Sequence, residues 1–437
     1  MIFYQKFFVI ILVGIVMLFS FNDTVLAASN ELSLDDCIFL ALKNNQVVKI
    51  ATFDRQTSLA ALNQEESGKG FTVTFTHNDK RYDTYNLHQL YVNGIKEYEW
   101  DNKDDNLITV SLPIYTGNKL ENQIDEAKLN LKISDLNLET VRQQLKQNAI
   151  SSYFNVLQYR NNLAVNQLSV DNYEKHLKEV QLRFEQGTVA KYDVLASQVS
   201  LANAQNNLSK AQNSYKFAIA TLNNVIGFPL NNEMILKDDL EYEPYSQTLE
   251  DCEQYAMDHR PEIVQHETKI AIAHDDLDIA QSGYRPSVNF VATQNWYYSS
   301  ALPGSDNSNW SVGLTASFNL FDSGVTKAKV DQAKYAIGAA EEQYSKERDD
   351  VLLEVHQYYL NLREAETRIE TSKVTVEQAE ESLRVANTRY EAGVGTNLDV
   401  LDAVLAFTTA KTNYIQALYD YNINKSQLDR AIGMAVK

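Results

Sequence analysis

The sequence predicts an internally duplicated α+β membrane protein. It combines long antiparallel α-helical coiled coils with β-strands of barrel type, four per chain. Three observations predict this. The first is a repeat. Arg183-Phe-Glu-Gln-Gly-Thr-Val-Ala-Lys-Tyr-Asp-Val-Leu195 matches Arg389-Tyr-Glu-Ala-Gly-Val-Gly-Thr-Asn-Leu-Asp-Val-Leu401 at a constant offset of 206 positions. The offset holds without gaps from Leu112 to Gly227, so that Leu222, Ile226 and Gly227 meet Leu428, Ile432 and Gly433. Chance does not keep one register that long. The second is a seven-residue apolar period ahead of each matched stretch, which makes each stretch the turn of a long helical hairpin. The third is a set of four segments that alternate apolar and polar residues with period two.

The bulk numbers set the class. The chain has 437 residues, 44 % hydrophobic and 22 % charged, as in an ordered protein. Its net charge of −19 and pI near 4.8 argue against nucleic acid, since nothing clusters Lys and Arg to neutralise phosphates. Only six Pro and 15 Gly favour uninterrupted helices, and 25 Tyr suit either an aromatic girdle or an ordinary core.

Residues 1–28 have the features of a secretory signal peptide: Lys6, the apolar run Phe7 to Phe21, and small residues at Ala27-Ala28. An uncleaved anchor is the alternative. Beyond residue 28 no stretch reaches the roughly 20 apolar residues of a membrane helix. A first repeat is expected over 29–230, a linker over 231–248 and a second repeat over 249–437.

Taken in order, Ser33 to about Gly68 is expected as one helix, N-capped by Ser33 with Asp35 and Asp36 in its first turn. A β-hairpin follows over 71–116. Phe71 to Thr76 and Asn106 to Tyr115 are its strands, and Pro113 marks a strand end or an edge. The polar, Tyr-rich stretch Asp79–Asp105 is either a loop or an extension of the first strand. A helical hairpin spans 117–227. Its seam is Ala149, Val156, Leu163, Val170, Leu177 and Phe184, with Ser152, Tyr159, Asn166, Tyr173 and Val180 beside it. Residues 229–248 are expected to be irregular. Thr248 to about Gly283 is the second copy of the first helix. A second β-hairpin spans 287–321, with a turn at Pro303-Gly304-Ser305-Asp306 and a strand from Trp310 to Phe321. The second helical hairpin spans 325–433. Its seam is Val355, Leu362, Ile369, Val376, Leu383 and Tyr390, with the mostly small companions Tyr358, Ala365, Ser372, Ala379 and Ala386. Cys37 and Cys252 occupy matched places, which allows either a disulfide or one buried thiol per repeat.

Four strands cannot close a barrel, and an open edge cannot sit in lipid with its backbone groups unpaired. The strands must then pair between chains, eight from two chains or twelve from three. The competing reading is a secreted coiled-coil scaffold or adhesin without a pore, whose hairpins merely cover the ends of the coil.

The sequence resembles TolC-type outer-membrane efflux factors. The residues that carry the resemblance are the duplicated Arg-x-x-x-Gly-x-x-x-x-x-Asp-Val turns, the strand–Gly–helix joints Leu112–Lys119 and Phe318–Lys327, and the Leu-x-x-x-Ile-Gly returns. They cover essentially the whole chain after the signal. The resemblance implies a homotrimer with a twelve-stranded barrel in the outer membrane and a helical tunnel in the periplasm. It further implies docking to a periplasmic adaptor and an inner-membrane transporter, as the exit duct of an efflux or secretion system. No cofactor is implied.

Site residues follow from the same turns. By resemblance, Gly187, Thr188, Val189, Gly393, Val394 and Gly395 are adaptor-docking tips. Glycines permit the reversal and leave backbone exposed, and helix C-capping is the plainer reading. Asp399 and Asp402 lie three apart on one helix face. In a trimer they would form two carboxylate rings that attract cations, a constriction the resemblance also implies. Asp399 fits a capping box with Thr396, and Asp193 fits a capping role better still, whereas Asp402 has only Ala196 as its repeat partner. The family's gate pairs a Tyr and an Arg. Tyr390 matches the Tyr, but Gly395 stands at the Arg position, leaving Arg389, Arg183 and Asp193 for ion pairs.

No Gly-x-Ser-x-Gly, P-loop, His-Glu-x-x-His or Cys-x-x-Cys motif occurs, so no catalytic role is expected. The seven His are scattered. His259, His266 and His274 share a segment without metal-ligand spacing, and solvated or core histidines are expected.

Overall fold

A computed structural model describes residues 31–83, 91–92, 95–96, 100–299 and 307–434. The expected signal peptide and the turn at Pro303–Asp306 lie outside the described residues. The chain begins with β1 (Glu31–Leu32), α1 (Leu34–Asn44) and α2 (Gln46–Ser67). Next come β2 (Thr72–Asp83), the short β3 (Tyr91–Val92) and β4 (Ile95–Lys96), and β5 (Trp100–Tyr115). The first helical hairpin is α3 (Lys119–Glu185) and α4 (Lys191–Ile226), followed by β6 (Ile235–Leu236). The plan then recurs as α5 (Leu249–His259), α6 (Pro261–Gln281), β7 (Ser287–Ser299), β8 (Asn307–Ser317), α7 (Val325–Glu391) and α8 (Asn397–Ala431).

Each long helix, α3 and α7, has 67 residues, which at 1.5 Å per residue is about 100 Å. α3 packs along α4, α7 packs along α8, and the two hairpins meet where α3 lies against α8. The seam residues sit in the core: Ala149, Val156 and Val170 on α3, and Val355, Leu362, Ile369, Leu383 and Tyr390 on α7 are all buried. Leu163, Leu177 and Val376 are half-buried, and Phe184 is exposed at 42 %. It lies at the free tip, where no helix remains to cover it. α3 also buries Tyr153, Leu157, Val165 and His176, because it contacts two long helices and a single heptad stripe covers only one.

The strands differ from expectation in extent. The first runs on to Asp83 and the second starts at Trp100, paired throughout from Thr72↔Ser111 to Asp83↔Trp100. Most of the polar stretch that can be described is therefore strand, not loop. β8 stops at Ser317, leaving Phe318 to Phe321 beyond the sheet. Pro113 lies in an inner strand, not an edge. The register shift between Pro113 and Tyr115 accommodates its missing N–H.

These four strands form one antiparallel sheet in the order β2-β5-β7-β8. Partners directly opposite share a face, which sorts the sheet cleanly. Val73, Val110, Ala292 and Val312 line up on one face, beside Phe75, Ile108, Gln294 and Trp310 and beside Leu112, Phe290 and Leu314. Thr74, Thr109, Thr293 and Ser311 line up on the other, with Thr293 and Ser311 hydroxyls 2.7 Å apart. Among the described residues no helix covers the apolar face: Phe75 is 60 % and Trp310 75 % exposed.

The expected single helices Ser33–Gly68 and Thr248–Gly283 are each broken in the middle. Asn45 turns extended (φ −66°, ψ 137°) and its side chain caps the next helix by accepting from Val47 N at 2.9 Å. Arg260 also turns extended (φ −71°, ψ 123°) but makes no side-chain cap; Pro261 opens the next helix instead, the position where a proline's missing N–H costs nothing. The breaks dock onto the ends of the return helices. Asn45 Nδ2 donates to Val225 O at 3.0 Å, and in the second repeat Arg260 Nη1 donates to Ala431 O at 2.9 Å. The linker is also more ordered than expected, since β6 pairs with β1 in parallel. Arg160 fastens it by donating to Leu236 O and Asp238 O at 3.1 and 2.9 Å. Cys37 and Cys252 are both buried and free, one per repeat, and burial pushes the Cys37 thiol up to about 12. Among the described residues no helix is long and apolar enough to cross a membrane.

Candidate functional site at the hairpin turns

The two turns are built alike. At the first, Thr188 N donates to Arg183 O and Gly187 N to Phe184 O, both at 2.9 Å. At the second, Val394 N donates to Arg389 O at 2.9 Å and Gly393 N to Tyr390 O at 3.0 Å. This is the Schellman arrangement, which needs a left-handed residue after the last helical turn. Gly187 and Gly393 supply it with φ +73° and +75°. A Cβ at either would meet nothing within 4 Å, so backbone conformation alone demands glycine and the outer face of each turn stays open. Gly187→Ala and Gly393→Ala are each expected to destabilise the tip by about 1–2 kcal/mol. Faster amide exchange confined to the turn residues would register it.

Gly395 differs. A Cβ there would lie 2.9 Å from Tyr390 N and 3.1 Å from Arg389 C. Both are backbone atoms, so a side chain at 395 requires the turn to shift. The absence of the expected arginine is thus part of this turn's geometry.

The carboxylates divide by task. Asp399 Oδ2 accepts from Thr396 N at 2.9 Å while Thr396 Oγ1 accepts from Asp399 N at 3.1 Å, a closed capping box. The Thr396 hydrogen bonds hold the Asp399 carboxyl below its ordinary value, with Arg389 assisting. Asp193 accepts from Ala190 N at 3.3 Å in the same way at the start of α4. Asp402 is exposed, one turn into α8, and makes no hydrogen bond or ion pair within the described residues.

The arginines are not paired with Asp193. Arg183 Nη2 lies 2.8 Å from Glu179 Oε1 and donates to Glu391 O at 3.0 Å, so it spans from the first hairpin to the second. Its guanidinium sits 4.5 Å from the centre of the Tyr390 ring, within cation–π range. Arg389 stays at its own turn, donating to Val394 O at 3.4 Å. Tyr390 is 3 % exposed, and its hydroxyl is buried without a hydrogen-bond partner.

Sequence reasoning missed His176. Its Nε2 lies 2.6 Å from Asn397 Oδ1, and its ring meets Tyr390 edge to face at 4.9 Å. Burial lowers its pKa, against the raising influence of Asn397 and Glu179. Tyr173 adds a second tie, its hydroxyl donating to Leu401 O at 3.4 Å. Among the described residues no group of three or more His, Cys, Asp or Glu is placed to hold a metal ion.

Comparison with known proteins bears on this architecture. The family model described as outer membrane efflux protein matches residues 37–228 and 254–434. The outer membrane protein TolC of Escherichia coli (strain K12) is 27 % identical over 319 residues, covering 69 % of this chain and 64 % of the relative. The chain thus matches just under two thirds of that relative's length. The alkaline protease secretion protein AprF of Pseudomonas aeruginosa is 22 % identical over 298 residues, covering 66 % and 61 %. Among solved structures, the outer membrane protein VceC of Vibrio cholerae superposes with a TM-score of 0.78 at 17 % identity, over 92 % of this chain and 97 % of that one.

Proposed function

The chain belongs to the outer membrane efflux protein family, and we propose that it is the outer-membrane channel-tunnel of a tripartite efflux or type I secretion system. In this reading it is a passive, non-enzymatic duct. An inner-membrane transporter delivers substrate to it through a periplasmic adaptor.

One observation carries the reading: a single-layer sheet with one apolar face, one Thr- and Ser-rich face, and two unpaired edges. A soluble protein would cover such an apolar face, whereas a membrane barrel turns it to lipid and turns the polar face to a lumen. Lipid tolerates no open edge. Three chains close the edges as twelve strands, enough for a channel, with β2 of one protomer against β8 of the next. The helical hairpins then form a tunnel from the barrel into the periplasm, and the Schellman turns lie at its far end.

The proposed adaptor-docking surface is the open faces at Gly187, Thr188, Gly393 and Val394, flanked by the half-buried Val189 and Gly395. Asp402, exposed and uncommitted, is the better candidate for a carboxylate ring, with Asp399 one turn closer to the tip. Arg183, Arg389, Asp193 and Tyr390 complete the constriction. The organisation proposed for the mature chain is a first repeat over 29–230, a linker over 231–248 and a second repeat over 249–437.

The test is the mass of the detergent-solubilised protein from the outer-membrane fraction, by light scattering on a sizing column. Three copies that require detergent are expected. A monomer or dimer that is soluble without detergent would overturn the channel.

A further inference from the structure

We infer that His176, Asn397 and Ser197 form the tie that holds the second helical hairpin against the first, and that acid releases it. The consequence for conduction rests on the proposed channel; the tie itself is a matter of packing within one chain.

The three side chains come from three helices, α3, α8 and α4, and are 5 %, 7 % and 1 % exposed. Asn397 is the first residue of α8, immediately after the second turn. Its Nδ2 donates to Asp193 O at 3.2 Å. A carbonyl can be met only by a donor, so this contact fixes the amide's orientation and turns Oδ1 toward His176. Nε2 of His176 must then carry the proton in the 2.6 Å contact. Ser197 Oγ lies 3.0 Å from the same Asn397 oxygen and 2.9 Å from Asp193 O. The start of α8 is thereby pinned to both helices of the first hairpin, where a swing of the second hairpin would pivot. With Gly395 at the turn, no side chain there is available to make this connection.

The imidazole is uncharged at neutral pH, and its burial among α3, α4, α7 and α8 disfavours a charge. On α3, Glu179 already pairs with Arg183, and the Tyr173 hydroxyl is turned to Leu401 O. Arg183 and Tyr390, on α3 and α7, present a cation and an edge-on ring. The Asp193 carboxylate on α4 is turned to Ala190 N. On α8, Asp399 is committed to Thr396, and Asp402 faces outward. Among the described residues no free carboxylate hydrogen-bonds the ring. Burial, and secondarily Arg183, hold its pKa below the ordinary histidine value, while Asn397 and Glu179 act the other way. The sign follows. The packed state binds the proton less well than a state with the ring in water. Acid therefore favours separation, beginning as pH falls through 6.5 and complete below the packed-state value. Between those two values the ratio of released to packed hairpins rises about tenfold per pH unit.

Spin labels at Lys191→Cys and Val394→Cys, in a Cys37→Ala, Cys252→Ala background, read the separation of the hairpins in the detergent-solubilised full chain from pH 8 to 5. A longer-distance population is expected to grow below about pH 6.5. In His176→Gln, whose amide can donate but does not titrate, the distance should not depend on pH. In Asn397→Asp, whose carboxylate would stabilise an imidazolium, the packed distance should persist at pH 5. No acid-dependent distance in the wild type, or the same dependence in His176→Gln, overturns the tie. Planar-bilayer conductance of the same proteins separates the two claims. A distance change that follows His176 in a protein that never conducts leaves the tie standing and overturns the channel instead.

Discussion

Replacing Glu354 by Ala is expected to produce the largest loss of stability of any single charge removal in the described residues, about 3 kcal/mol. Glu354 sits between two arginines. Its Oε2 is 2.5 Å from Arg260 Nη1, and its Oε1 bonds Arg430 Nη2. Arg260 is only 6 % exposed and holds the break between α5 and α6 against the end of α8 through Ala431 O. Without Glu354 that guanidinium keeps Glu262, at 3.0 Å, but loses its partner on α7. A buried charge left short of partners costs far more than a surface pair is worth. The thermal unfolding midpoint of the detergent-solubilised protein is the readout. Asp350→Ala, which breaks the exposed Lys346–Asp350 pair, is the control and should change stability by less than about 0.5 kcal/mol. Equal shifts for the two variants would mean the cluster contributes no more than a surface contact.

Tyr390 gives the second large effect, through a contrast between two variants. Tyr390→Ala is expected to cost about 3–5 kcal/mol, the usual range for removing a buried aromatic ring. It empties the space between the Arg183 guanidinium and the His176 ring. Tyr390→Phe keeps both ring contacts and removes a hydroxyl that is buried without a partner. Leaving such a group unsatisfied costs about 1–3 kcal/mol, so this variant should be neutral or more stable than the wild type. If Phe proved as damaging as Ala, the hydroxyl would be hydrogen-bonded inside the chain, through an enclosed water.

Much of this was written in the sequence at positions where one residue type has one physical reason. Gly187 and Gly393 are glycines because a left-handed residue must end each long helix, and the sequence spacing placed both turns correctly. The seam from Val355 to Tyr390 located the buried stripe of α7 because that helix keeps a strict seven-residue period. The strands were cut short for the opposite reason. Runs such as Asp79-Lys80-Arg81 lack an apolar alternation, and near the rim of the proposed barrel neither face needs to be apolar. The breaks at Asn45 and Arg260 carry only local signals, Asn44-Asn45 and Pro261, which the continuous helical pattern on either side outweighs. The contact of His176 with Asn397 had no signal. The residues lie 221 positions apart and belong to different repeats, and an internal repeat reports which positions are equivalent, not which ones touch.

The bare edges of the sheet also bear on how such a protein is made. A chain whose β2 and β8 carry unpaired backbone groups cannot enter a hydrocarbon layer alone. In the proposed channel, insertion and association must therefore be one event. Until then each copy exposes an adhesive strand to any other unfinished copy. In the proposed trimer a defect in one β-hairpin would not stay private to its own subunit: mixed with normal chains, it would spoil every ring it joined, and the fault would act as dominant.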